Sequence, residues 1–305
     1  MSGEASTSAT PEYRAAGTDL SERRRSGVST GPVIDLSPTE EQPIQWGEDG
    51  AAMIGAFTSI ATIAADKRIA AAYPGLAATA AGLATPQIRH VATLGGNLAQ
   101  RSRCWYYRNP HLACLKKGGT DCPARSGNHL YHVAFDLGPC CAPHPSSMAT
   151  ALLAYEATVD TDHRGGLSIG ILLGDGSNGS SDHALRPEEV IQSATLPVPL
   201  AGERALYKRA ISRSHAEWPL VEVCARAVIE NGSFRFIRIA AGGVAPRPLR
   251  LRASEAALLG AAATTETLFE AARRATTNAS PLPMTQYKLT LLSGLVQDLL
   301  EQLVA

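Results

Sequence analysis

Five of the six cysteines fall within one stretch of 38 residues, at positions 104, 114, 122, 140 and 141. The sixth, Cys224, sits in an apolar run (LVEVCARAVI) and reads as a small buried hydrophobe. The cluster is different, because its surroundings are rich in Gly, Pro, Asn and Arg and hold little apolar surface to order themselves. Three chemistries could hold such a segment. One or two disulfides are possible, although no apolar signal core opens the chain. Zinc favours paired C-x2–4-C knuckles, and only the adjacent Cys140–Cys141 approaches that spacing. An iron–sulfur cubane takes four thiolates from spread positions, and the steps of 10, 8 and 18 residues suit it. In that case one of Cys140 and Cys141 is spare, since neighbouring side chains rarely reach the same cluster corner. His90, His129, His132 and His144 surround the segment and are expected to act as hydrogen-bonding loop residues, not ligands.

Two short glycine-containing turns, AGTDL (16–20) and TLGGN (93–97), lie on either side of a helical region. Glycine lets a backbone approach a ligand closely, and successive N–H groups in such a turn bind anions. Thr18 and Thr93 add a hydroxyl to each turn. Neither turn matches the Rossmann or P-loop glycine pattern, so those two phosphate-binding modes are excluded. Two such turns could cradle the two phosphates of a dinucleotide.

The elements that must position these residues follow from periodicity. Strands are expected at 32–36 and 53–58, an Ala-rich helical region at 59–83 broken near Tyr73–Pro74, and a helix running into a strand over 148–159. Residues 165–182 read as a turn-rich surface loop and 189–197 as a strand. Strands at 204–211 and 220–230 follow, the latter joined by an Asn231–Gly232 hairpin turn to 233–241. Helices at 254–262, 265–277 and 286–303 close the chain. The pattern divides into a disordered 1–11, a domain over 12–199 with the Cys-rich insertion at 101–145, and an α+β domain over 200–305. In that last domain an antiparallel sheet carries helices on one side.

Composition removes other classes. With 28 basic and 28 acidic residues in 305 and no basic stripe, a nucleic-acid binder held by phosphate contacts is not expected. No apolar run approaches the ~20 residues that span a bilayer. The absence of a signal core points to the cytoplasm, or to the periplasm by co-export with a signal-bearing partner.

The runs ATPQIRHVATLGGNLAQRSRCWYYRNP, CLKKGGTDCPARSGNHLYHVAF, PCCAPHPSSMATALLAYEATV and FIRIAAGGVAPRPLRLRASEAALLG resemble the FAD-binding medium subunit of the xanthine dehydrogenase/aldehyde oxidoreductase family. They are most similar to the bacterial aldehyde oxidoreductase branch that carries an extra [4Fe–4S] cluster. The resemblance implies a two-subdomain FAD-binding fold of the vanillyl-alcohol oxidase type followed by that family's C-terminal domain. It further implies FAD and a [4Fe–4S] cluster as cofactors, with a molybdenum-cofactor large subunit, a [2Fe–2S] small subunit and an external electron acceptor as partners. By position, Ala15, Ala16, Gly17, Thr18, Asp19 and Leu20 form the first FAD turn, and Thr93, Gly95, Gly96 and Asn97 the second. Ile191 and Lys208 fall where relatives line the flavin; Tyr287–Lys288 could also reach it. Cys104, Cys114, Cys122 and Cys140 are the implied cluster ligands, the last placed four residues before His144. Three departures stand out: Ala16 replaces a glycine, Ser147 replaces an acidic residue, and a strand–helix–strand unit of some forty residues is largely missing before the first turn. A second reading keeps the cluster and docking surfaces but loses tight flavin binding, leaving a structural iron–sulfur subunit.

Overall fold

The computed structural model describes residues 11–36 and 43–305. The disorder expected for 1–11 therefore falls outside the described residues, except for Pro11. The chain begins with a small parallel unit: β1 (Glu12–Arg14), α1 (Leu20–Arg25) and β2 (Val33–Asp35), with Glu12 opposite Val33. The first glycine turn lies between β1 and α1.

A five-stranded antiparallel sheet follows, formed by β3 (Gln45–Trp46), β4 (Ala52–Gly55), β5 (Thr158–Thr161), β6 (Leu167–Ser168) and β7 (Ile191–Leu196) in the order β3-β4-β7-β5-β6. Between β4 and β5 run α2 (Ile60–Ala65), α3 (Lys67–Ala72), α4 (Pro74–Gly82), α5 (Pro86–Val91), α6 (Leu94–Leu98), α7 (Trp105–Arg108) and α8 (Ser147–Ala154). The break expected near Tyr73–Pro74 is real. Asp66 caps α3 by accepting from the Arg68 and Ile69 N–H groups, and Pro74 opens α4, where its missing N–H costs nothing. The stretch read as a loop over 165–182 instead contains β6 and α9 (Ile169–Leu173). Ile169, Leu172 and Leu173 bury against the first core there, and Ser168 caps the helix.

The second sheet has the order β11-β10-β9-β8, built from β8 (Glu203–Ala210), β9 (Val221–Glu230), β10 (Ser233–Gly242) and β11 (Leu249–Arg250). Asn231 and Gly232, at φ +51° and +72°, form the two-residue hairpin that joins β9 to β10. Strand alternation splits this sheet between two cores. Val221, Val223, Ala225 and Ala227 face α10 (Arg252–Leu258), α11 (Thr265–Arg274) and α12 (Tyr287–Val304). Cys224, Ala205 and Ala240 face the other way and belong to the core of the first sheet. The domain's own helices therefore lie on one side, as expected, while α4 and α8 cover the opposite face. This double coverage leaves eight consecutive β9 residues buried and every residue of α8 buried.

Candidate functional site

At the first turn, Gly17 adopts φ +73°, which only a glycine takes without strain. The Ser21 N–H donates to the Gly17 carbonyl. Among the described residues, the amide N–H groups of Ala16, Gly17, Thr18 and Asp19 have no intramolecular acceptor, so they remain available to an anion. Asp19 fixes this turn. It accepts from Arg108 at 2.7 Å, Arg23 at 3.1 Å and the Arg101 amide at 3.2 Å, and it pairs with the Arg103 guanidinium at 3.0 Å. Burial opposes its ionisation, but the Arg103 and Arg108 guanidiniums hold its carboxyl below the usual range.

The second element is not an open nest. Thr93 is the N-cap of α6, its Oγ1 accepting from the Gly96 amide, while Gly95 and Asn97 donate to Ala56 and Thr93 carbonyls. With those amides consumed, what remains is closeness. A Cβ at Gly95 would stand 2.9 Å from the Ala56 Cβ, so Gly95 is required for packing. A Cβ at Gly96 would meet only Thr93 Oγ1, at 3.0 Å, and otherwise enter open space.

Three adjoining cavities of about 440, 80 and 560 Å³ run past these two elements, and Gly96 lines all three. The first holds Ala15, Thr93, Gly95 and Ile191; the small central one holds Ala15 through Leu20 and Thr93. The largest holds Thr18, Asp19 and Asn97, with Arg89, Arg103, Arg108, Arg209 and Trp218. The arginines and Trp218 were not singled out in the sequence. The RSRCWYYR run carried a signal for two of them, since a charged segment flanking a glycine turn needs countercharge. Arg103 lies 4.3 Å above the Trp218 ring, and burial pushes its guanidinium down to about 10.

Two of the expected flavin contacts are not brought to this groove. Lys208 points to the other face of β8, where it pairs with Asp298 of α12; alternation gives the groove position to Arg209. Ser147 is fully buried at the start of α8, beside Glu222 and Tyr207. Tyr287 and Lys288 do not reach the groove walls either. The Tyr287 hydroxyl donates to the Leu130 carbonyl and the Lys288 ammonium to the Gly243 and Tyr131 carbonyls, bracing the Cys-rich segment from α12.

That segment brings three of its sulfurs into contact. Cys122 Sγ lies 3.6 Å from Cys141 Sγ and also contacts Cys140. Cys104 Sγ lies 3.2 Å from His132 Nε2. Hydrogen bonds from Cys140 and Cys141 pull the Cys122 thiol down, while Cys140 and Cys141, sharing it and buried, are pushed up. Burial raises Cys104, with Cys122 and Cys114 adding to the effect. Thiols in contact in this way are a donor set of the soft kind that thiolate-bound metals use. Among the described residues, however, no three His, Cys, Asp or Glu side chains are arranged around a single metal-ion position. Of the surrounding histidines, His129 bonds the Ala124 carbonyl and the Met284 amide, His90 the Pro86 carbonyl, and His144 accepts from Ser146 N. Cys224 is fully buried in the first core.

Comparison with known proteins bears on the whole chain. Residues 7–199 match the family described as the FAD binding domain in molybdopterin dehydrogenase, and residues 205–303 match the CO dehydrogenase flavoprotein C-terminal domain. The aldehyde oxidoreductase FAD-binding subunit PaoB of Escherichia coli K12 is 33% identical over 295 residues, covering 94% of this chain and 91% of that protein. The xanthine dehydrogenase FAD-binding subunit of Escherichia coli O157:H7 is 24% identical over 227 residues, covering 73% of this chain and 63% of its own length. In fold, carbon monoxide dehydrogenase from Hydrogenophaga pseudoflava superposes with a TM-score of 0.75 at 22% identity, over 97% of this chain and 90% of that one. Quinoline 2-oxidoreductase from Pseudomonas putida 86 gives 0.74 at 18%, with the same coverage. The mixed helix-and-sheet architecture, the groove between the two glycine elements and these matches agree: the chain belongs to the FAD-binding subunits of the molybdenum hydroxylase family.

Proposed function

We propose that this chain is the electron-transfer subunit of a heterotrimeric molybdenum hydroxylase, holding FAD along the three-cavity groove and a [4Fe–4S] cluster on Cys104, Cys114, Cys122 and Cys140. The observation that carries the reading is the groove itself. Two glycine elements meet where Gly96 lines all three cavities, and residues 16–19, whose amides are unclaimed, line the small central one. A dinucleotide needs this arrangement: two compartments for the ring systems and a narrow anion-binding waist between them.

The residues of the chain have distinct tasks. Residues 16–19 and the Thr93 hydroxyl bind the phosphates, and Gly96 admits them closely. Ile191 and Ala15 wall the compartment on one side of the waist, and Asn97, Arg103 and Trp218 the compartment on the other. Arg89, Arg103, Arg108 and Arg209 place positive charge around that second compartment, which favours a bound ring carrying negative charge. When bound, FAD supplies the step between one-electron donors and a two-electron acceptor, and a cubane supplies a one-electron centre. The large molybdenum subunit, the small [2Fe–2S] subunit and the external acceptor are the partners this role requires.

The test is FAD titration and iron analysis of the purified complex. Bound flavin at one per chain and four irons on the Cys-rich segment are expected. Cys114→Ser should lose the iron, whereas Cys141→Ser should keep it. Loss of iron from Cys141→Ser but not from Cys140→Ser reassigns the fourth ligand. Iron without flavin would leave the structural-subunit reading in place of this one.

A further inference from the structure

The Cys-rich segment does more than carry thiols, because its charged side chains reach into both halves of the groove. Arg103 precedes Cys104, the N-cap of α7, and Arg108 ends that helix; both fasten the first glycine turn through Asp19 and Glu22. Arg108 also donates to the Arg101 and Ser102 carbonyls, which ties the turn to the start of the segment. A second link starts two residues after Cys114. The Lys116 ammonium donates to Asp182 at 2.8 Å and to the Ser181 carbonyl at 2.7 Å. Asp182 in turn takes Arg101 at 2.6 Å, and Arg101, Ser181 and His183 line the 440 Å³ cavity. The Lys116 and Asp182 side chains are each only 5% exposed.

We infer that the Cys-rich segment is a wall of the dinucleotide groove, with Arg108 and Lys116 as positioning residues whose ion pairs to Asp19 and Asp182 set the affinity for FAD. The inference rests on the FAD reading above, but not on the identity of whatever holds the thiols. Its physical basis is the cost of leaving a buried carboxylate without its partner. If the segment around Cys104 and Cys114 loosens, Asp182 loses both of its counter-ions and Asp19 keeps only Arg23 of its three. The turn and the 181–191 wall must then move to reach water. Removal of FAD withdraws support from the same pairs, so the coupling is reciprocal.

The experiment titrates FAD into the deflavinated full complex, following flavin fluorescence. Arg108→Met and Lys116→Met should each weaken binding roughly tenfold or more, within the range of energetic coupling between linked sites. Arg125→Met is the control from the same segment, because Arg125 pairs with Asp136 and lines no part of the groove. It should leave FAD affinity unchanged. Lys116 lines none of the cavities, so an effect there comes through Asp182 and not through lost contact, and Lys116→Arg should restore binding. Should Arg108→Met fail to fold, the Lys116 pair of variants decides alone. Affinities within twofold of the parent for Lys116→Met, or no rescue by Lys116→Arg, overturn the inference. A parent complex that binds FAD but no iron would sink the cluster assignment while leaving this test intact; one that binds no FAD overturns both the function proposed above and this inference.

Discussion

Gly95 and Gly96 are neighbours in one short helix, yet the structure gives them opposite duties, and adding one methyl to each should separate the two. Gly95→Ala places a Cβ 2.9 Å from the Ala56 Cβ and 3.2 Å from the Ala56 carbonyl oxygen. That oxygen accepts the Gly95 amide at 2.8 Å, so the methyl cannot be accommodated without spreading α6 from β4. Overpacking of this kind costs about 1–3 kcal/mol. Gly96→Ala meets only the Thr93 hydroxyl, at 3.0 Å. Crowding there is offset by the ~1 kcal/mol that alanine gains over glycine inside a helix, so stability should stay within about 1 kcal/mol of the parent. Its methyl instead projects where all three cavities meet. Displacing a bound dinucleotide from its closest backbone approach by a similar ~1–3 kcal/mol corresponds to roughly 5- to 150-fold weaker binding. Urea unfolding and FAD titration of the two variants measure both quantities. The reasoning fails if Gly96→Ala binds FAD like the parent, or if Gly95→Ala unfolds at the parent's urea concentration.

Other outcomes follow from the buried polar groups. Arg226 and Glu203 form a bidentate pair with both side chains almost fully buried; Arg226→Met should cost about 3–5 kcal/mol, and the Arg226→Met/Glu203→Leu double variant should recover much of it on urea unfolding. Burial lowers His144 and His183 from 6.5 to about 4, so as pH falls below 6.5 the unfolded chain takes up protons first. Stability present above pH 6.5 is therefore lost progressively towards pH 4, and His144→Gln should flatten that loss in unfolding curves taken at pH 7 and pH 5. Ser147→Asp would set a second carboxyl in the interior beside Glu222, whose own carboxyl burial already pushes above its ordinary range. It should lower the unfolding midpoint without strengthening FAD binding, and a gain in FAD affinity would show that Ser147 faces the groove after all.

The sequence by itself carried the elements and their chemistry. Period-two and period-3.6 patterns located the strands at 203–210, 221–230 and 233–242 and the closing helices to within a few residues, because those patterns record which side chains face a core. Two glycine turns and a dense cysteine segment marked where ligands could be held, because glycine and thiol have few other reasons to cluster in polar sequence. Tertiary structure decided the rest. The TLGGN run reads as an open anion nest, but with Thr93 capping Gly96 and Ala56 beside Gly95 it becomes the first turn of a helix whose amides are already engaged. Lys208 and Arg209 are adjacent cations in the sequence; only the pleat of β8 against α12 turns the first to Asp298 and the second to the groove. Nor does spacing show that arginines beside the cysteines would clasp Asp19, some eighty residues earlier. Local pattern fixes what a residue can do, whereas long-range packing chooses its partner, because the free energy of a buried charge depends on which opposite charge the fold brings beside it.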